Sequence, residues 1–142
     1  MSTTTDEAAQ LLLAAWTGTT RINGLPSRCR PADLDQGYAI QDALLLATGE
    51  ALAGHKIAAT AVAGQQHIGI THPITGGLLS SQIRSPGAQV SLSGNQMCAA
   101  EAEFVFEFNA CLPPRSTQYS RMEVLQAVGA LRLGIEIPDS RL

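Results

Sequence analysis

At 142 residues, 45 % apolar and 15 % charged, the chain is long enough for one globular domain with its own core, and its composition excludes disorder. Nine basic against twelve acidic side chains leave a net charge of −3 with no basic run, which argues against nucleic acid or an anionic membrane as partner. The start Met-Ser-Thr-Thr-Thr-Asp-Glu is acidic, and no apolar run reaches 18 residues, so a soluble cytoplasmic protein is expected. Cys29, Cys98 and Cys111 are odd in number and lack CxxC spacing, which reads as reduced, mostly buried thiols.

Thr4 followed by Glu7 has capping-box spacing, and the apolar run Ala8 to Trp16 continues it as a helix ended by Thr17-Gly18. Thr19 to Arg30, with Gly24-Leu25-Pro26, reads as loop. A second helix opens near Asp33, three before Gln36, and runs to Leu46, stopping at Gly49. Both helices carry enough apolar surface to pack on a sheet or a neighbouring subunit. Gly54 to Thr60 reads as a short strand, Gln65 to Ile70 as a turn with a second short segment, and Pro73, Gly76 and Gly77 as breaks before Leu78-Leu79. Pro86-Gly87 and Gly94-Asn95 are turns around an alternating strand from Gln89 to Ser93.

Glu101 to Phe108 alternates with period two. Glu101, Glu103, Val105 and Glu107 share one side; Ala102, Phe104, Phe106 and Phe108 share the other. The reading is a strand with buried phenylalanines and gathered carboxylates. Asn109 to Thr117 is loop. Ser120 and Glu123 then open a helix with the stripe Val124, Leu125, Val128 and Leu131, before a last strand from Leu133 to Ile137 with Glu136 on its polar side. The fold class is α+β in a single domain, residues 1–50 helical and 51–142 strand-rich.

Carboxylates two apart on a strand repel unless a cation lies between them, and Mg2+ takes oxygen donors of this kind. If the last strand pairs near the Glu101–Glu103 strand, Glu101, Glu103 and Glu136 could meet one Mg2+ or Mn2+; ordinary surface carboxylates are the plainer alternative on the residues alone. Lys56, the one lysine of the chain, either snorkels outward or receives an anion. Gln65 and His67 flank a glycine-bearing loop and could line a pocket. Asp139 and Arg141 could form an ion pair that orients the site, or be a charged tail. His67 and His72 lack zinc spacing, and the glycines form no nucleotide-binding motif.

Together, Ala39-Ile40-Gln41, Gly54-His55-Lys56-Ile57-Ala58-Ala59-Thr60, Gly64-Gln65-Gln66-His67-Ile68-Gly69-Ile70, Glu101-Ala102-Glu103-Phe104-Val105-Phe106, Leu112-Pro113-Pro114-Arg115 and Ile135-Glu136-Ile137-Pro138-Asp139-Ser140-Arg141 resemble the 2-keto-4-pentenoate hydratase group of the fumarylacetoacetate hydrolase superfamily. The resemblance implies N-terminal helices followed by part of a mixed β-roll of the fumarylacetoacetase C-terminal-like type. It implies Mg2+ or Mn2+ on Glu101, Glu103 and Glu136, with Lys56 binding the 2-oxo acid. It further implies hydration of 2-hydroxypenta-2,4-dienoate to 4-hydroxy-2-oxopentanoate in aromatic catabolism, in a homo-oligomer. A 2-oxo-3-enedioate decarboxylase is the alternative within the family. Relatives continue well beyond the match to Asp139-Ser140-Arg141, so a C-terminally truncated domain is expected, and a non-catalytic remnant or accessory subunit needing an intact relative is the alternative of another class.

Overall fold

The computed structural model describes residues 3–18 and 20–142; Met1, Ser2 and Thr19, the first residue of the expected loop, lie outside the described residues. The chain divides into two compact units, one running to Ser91 and taking in Arg141–Leu142, the other Leu92–Ser140.

In the first unit, helix α1 spans Thr4–Thr17. Its capping box is one residue earlier than the sequence reading put it: the Thr3 hydroxyl accepts from the Asp6 N–H and the Asp6 carboxylate accepts from the Thr3 N–H. Three successive threonines offer competing caps, and the chosen register turns Ala8, Ala9 and Ala15 inward. Helix α2, Leu34–Thr48, starts and stops as expected: the Asp33 carboxylate accepts from Gln36 N–H at 2.9 Å, and Gly49 closes the helix in the left-handed conformation at φ 68°. The two helices pack on each other over Ala8, Cys29 and Ile40, with Leu12 and Leu25 at the margin. Arg28 pairs with Glu7 across this edge. Being exposed, the pair adds little stability.

Strand β1, Leu52–Ala58, pairs antiparallel with β2, Ile74–Leu79, with Lys56 opposite Gly76. Two expectations fail here. Residues read as a turn and short segment form helix α3, Val62–Ile68, ended by Gly69 at φ 72°. Gly76 and Gly77, read as breaks, lie inside β2 because α2 packs against it: a Cβ on Gly77 would fall 2.6 Å from Leu45 Cδ1 and 2.9 Å from Leu52 Cδ1. Helix α2 also supplies partners to the outer edge of β2. The Tyr38 hydroxyl accepts from Thr75 N–H, and the Gln41 amide accepts from Gly77 N–H while donating to the Thr75 carbonyl. A free strand edge is thereby occupied by side chains. Residues 89–93 form no strand, since no neighbouring strand pairs with them.

The second unit is built on β3, Glu101–Phe108, and β4, Val128–Glu136, an antiparallel ribbon. Helix α4, Arg121–Ala127, runs straight into β4. The expected apolar stripe is therefore divided, with Val128 and Leu131 in the strand. The break coincides with Gly129, where a Cβ would lie 3.0 Å from Asn109 Cβ, and with the Asn109 N–H bonded to the Ala127 carbonyl. Ile137 lies just beyond the strand.

The expected burial of the phenylalanines is also corrected. Phe104 is 71 % exposed, and Phe106, Phe108, Leu131, Leu133 and Ile135 are exposed with it. Their register places Phe104 opposite Leu133 and Phe106 opposite Leu131. A two-stranded ribbon has no second layer of its own on that face, so the alternation holds while the burial does not. Of the cysteines, all free, only Cys29 is buried; Cys98 and Cys111 are exposed in loops. Burial pushes the Cys29 thiol up. Among the described residues no helix is long and apolar enough to cross a membrane.

The loop before α4 is held by ion pairing. Arg115 forks onto the Glu123 carboxylate at 2.8 and 2.9 Å and lies 3.6 Å over the Tyr119 ring, while the Ser120 hydroxyl caps α4 by accepting from the Glu123 N–H and the same carboxylate accepts from the Ser120 N–H. Arg115 first, and then the Ser120 cap, hold the Glu123 carboxyl down to about 2. A depressed carboxylate binds fewer protons folded than unfolded, so its stabilisation is complete above the ordinary 4.5 and is lost as pH falls toward 2. Arg115→Ala is expected to return the Glu123 NMR titration midpoint toward ordinary glutamate values, and to lower melting temperature by an amount that shrinks from pH 7 to pH 2. An unchanged midpoint would contradict this.

Candidate metal centre

The pleat of β3 puts Glu101 and Glu103 on one face, and the register sets Glu136 directly across from Glu101. Glu103 faces Gly134, which presents no side chain; a Cβ there would fall 2.9 Å from Val105 Cγ2. The Val105 side chain takes the space a side chain at 134 would need, and the three carboxylates converge. One carboxylate oxygen from each of Glu101, Glu103 and Glu136 lies within 4.8 Å of the others, with Glu103 and Glu136 half-buried and Glu101 exposed.

The donor set is all oxygen and carries three formal charges, which suits a hard divalent cation and not a thiophilic metal. Carboxylate charges this close repel one another in the absence of a cation. A divalent ion between them reverses that sign. Mg2+ or Mn2+ fits the residues present.

Glu107, on the same face two positions beyond Val105, is drawn off by Arg132. That pairing holds its carboxyl below the usual range. Arg115 is engaged at the N-terminus of α4. Asp139 accepts from the Gln96 N–H at 2.9 Å, tying the chain after β4 to the loop before β3.

The remaining expected residues stand in the first unit. Lys56 is half-buried on the face of β1 that also carries Gly54 and Ala58. Gln65 is half-buried in α3 and donates to the Ala59 carbonyl at 3.0 Å; Ala59 is left-handed at φ 56°. That bond engages the Gln65 amide at the turn following the Lys56 strand. His67 is exposed in the last turn of α3, and the Arg141 carbonyl accepts from Ile22 N–H at 2.9 Å. Two contributors escaped the sequence reading. Gly134 had a signal, being two residues before Glu136 on the same face; Asn95 had none beyond its place in a turn.

No protein-family model matches the chain. Among curated proteins it is similar to the TodF product hydratase of Pseudomonas putida (28 % identity over 139 residues, 96 % of this chain and 51 % of that protein). It is also similar to 2-keto-4-pentenoate hydratase 1 of Dechloromonas aromatica (31 % over 141 residues, 97 % and 53 %). The 2-keto-4-pentenoate hydratase of Paraburkholderia xenovorans is 31 % identical over 140 residues, 96 % of this chain and 51 % of that protein. The chain spans about half the length of the curated relatives it matches.

Proposed function

We propose that the chain, which matches 2-keto-4-pentenoate hydratases over about half of their length, belongs to that group and takes part in divalent-cation-assisted hydration of a small 2-oxo/enol acid. The supporting observation is the convergence of Glu101, Glu103 and Glu136 within 4.8 Å on one ribbon face. The proposed substrate is 2-hydroxypenta-2,4-dienoate, the enol of 2-oxopent-4-enoate. Ketonisation moves a proton from the enol oxygen to carbon. Water then adds across the distal double bond, giving 4-hydroxy-2-oxopentanoate, a step suited to the breakdown of aromatic ring-cleavage products.

Glu101, Glu103 and Glu136 would hold Mg2+ or Mn2+, which when bound supplies a Lewis acid for the 2-oxo/enol oxygen. Glu103 and Glu136, half-buried, would fix the position of the ion, and Glu101, exposed, would leave that side accessible to an incoming acid. On the resemblance alone, Lys56 is the proposed cationic residue for the acid's anionic oxygen, where a positive charge would stabilise the developing enolate.

The test is turnover of freshly generated 2-hydroxypenta-2,4-dienoate by the purified chain, followed by loss of dienol absorbance. The expected result is hydration that needs Mg2+ or Mn2+, stops with EDTA and falls by about 10²-fold or more in Lys56→Met. No turnover from a folded chain with the cation present would overturn the reading.

A further inference from the structure

The carboxylate cluster lies at the open end of the ribbon, remote from α4, where β3 begins and β4 ends. Terminal pairs of a two-stranded ribbon fray readily. Something must hold that end closed. The chain entering β3 and the chain leaving β4 are joined by side-chain bonds that span 43 residues of sequence.

The central residue is Asn95, half-buried. Its side-chain NH2 donates to the Pro138 carbonyl at 2.9 Å, two residues after Glu136, and its side-chain oxygen accepts from the Cys98 N–H at 2.6 Å, three residues before Glu101. Cys98 stands at φ 47°, a conformation that most residues avoid, and the bond from its N–H supports it there. The Gln96 N–H adds a parallel tie to Asp139 at 2.9 Å. The paired roles need a primary amide of this length. Aspartate has no donor for Pro138, and serine is too short to span both partners.

We propose that Asn95 is a positioning residue that clips the carboxylate end of the ribbon shut and so sets the spacing between Glu101 and Glu136. It does not touch the cation. The effect on metal binding rests on the cation reading above; the effect on the ribbon does not.

The experiment reads both in the full chain. Amide hydrogen exchange of the metal-free protein is compared at residues 100–102 and 135–137 with residues 106–108 and 128–131, and Mn2+ affinity is measured by titration. Asn95→Ala is expected to speed exchange at the carboxylate end by about tenfold or more, to change the far end by less than about twofold, and to weaken Mn2+ binding by about tenfold, the lower range for a residue that orients metal ligands. If Asn95→Ala does not fold, Asn95→Ser, which keeps an acceptor for Cys98 N–H, is expected to show the same pattern at smaller amplitude. Exchange that rises equally at both ends, or at neither, would overturn the proposal. If the unaltered chain binds no Mn2+, the cation reading fails and the exchange pattern alone decides the clip.

Discussion

Glu103→Gln is expected to remove the cation-dependent stabilisation of the chain. With Mn2+ at 100 times its dissociation constant, the unaltered protein gains about 2.7 kcal/mol, which for a chain of this size raises the melting temperature by roughly 5–10 °C. Exchanging one of three charged oxygen donors for a neutral amide weakens the ion by about 100-fold. At the same Mn2+ concentration the gain then shrinks to about 0.4 kcal/mol, or roughly 1 °C. Glu107→Gln is the matched control. It removes a carboxylate from the same strand face, but one already engaged by Arg132, and is expected to leave the Mn2+ shift intact. Equal shifts in the unaltered chain and Glu103→Gln, measured by thermal unfolding with and without EDTA, would contradict the assignment of Glu103 as a ligand.

Gly77→Val is expected to destabilise the first unit although valine is the better strand residue. Strand propensity favours the change by up to about 1 kcal/mol. Against it, the new Cβ would arrive 2.6 Å from Leu45 Cδ1 and 2.9 Å from Leu52 Cδ1, and overpacking of this kind costs about 1–3 kcal/mol. The leucine ends can rotate, but two are met at once. Movement of α2 would also pull Gln41 and Tyr38 from the edge of β2. A net loss of about 1–2 kcal/mol follows, a fall of roughly 2–8 °C. Gly54→Ala in the partner strand, where nothing lies within 4 Å, is expected to be neutral or slightly stabilising. A Gly77→Val melting temperature at or above that of the unaltered chain would show that α2 does not pack on β2 as described.

These two glycines show where sequence patterns carry the fold and where they fail. Caps and alternation depend on neighbours a few residues apart, so Asp33, Gly49, Ser120 and the β3 carboxylates were legible. Gly77 reads as a breaker until the helix that needs its missing side chain is known. Helix α3 has no side-chain cap and is only seven residues long, so its closing Gly69 was the one local signal and was not enough to mark it. The division of α4 from β4 at Val128 depends on pairing with Phe108, twenty residues earlier. Alternation in β3 correctly sorted its two faces but misassigned burial, because burial belongs to the layer that covers a face and not to the strand. The carboxylate trio was legible as composition; its closeness required the register that puts Glu136 opposite Glu101 and Gly134 opposite Glu103.

The central claim is that Glu101, Glu103 and Glu136 hold one divalent cation. Titrating Mn2+ into the metal-free chain, with free ion read from its electron paramagnetic resonance signal, tests it most directly. The expected result is saturation at one Mn2+ per chain, displaced by excess Mg2+ and lost in Glu103→Gln. A free-ion signal that rises in proportion to added Mn2+ from the first addition, as in buffer, would contradict it.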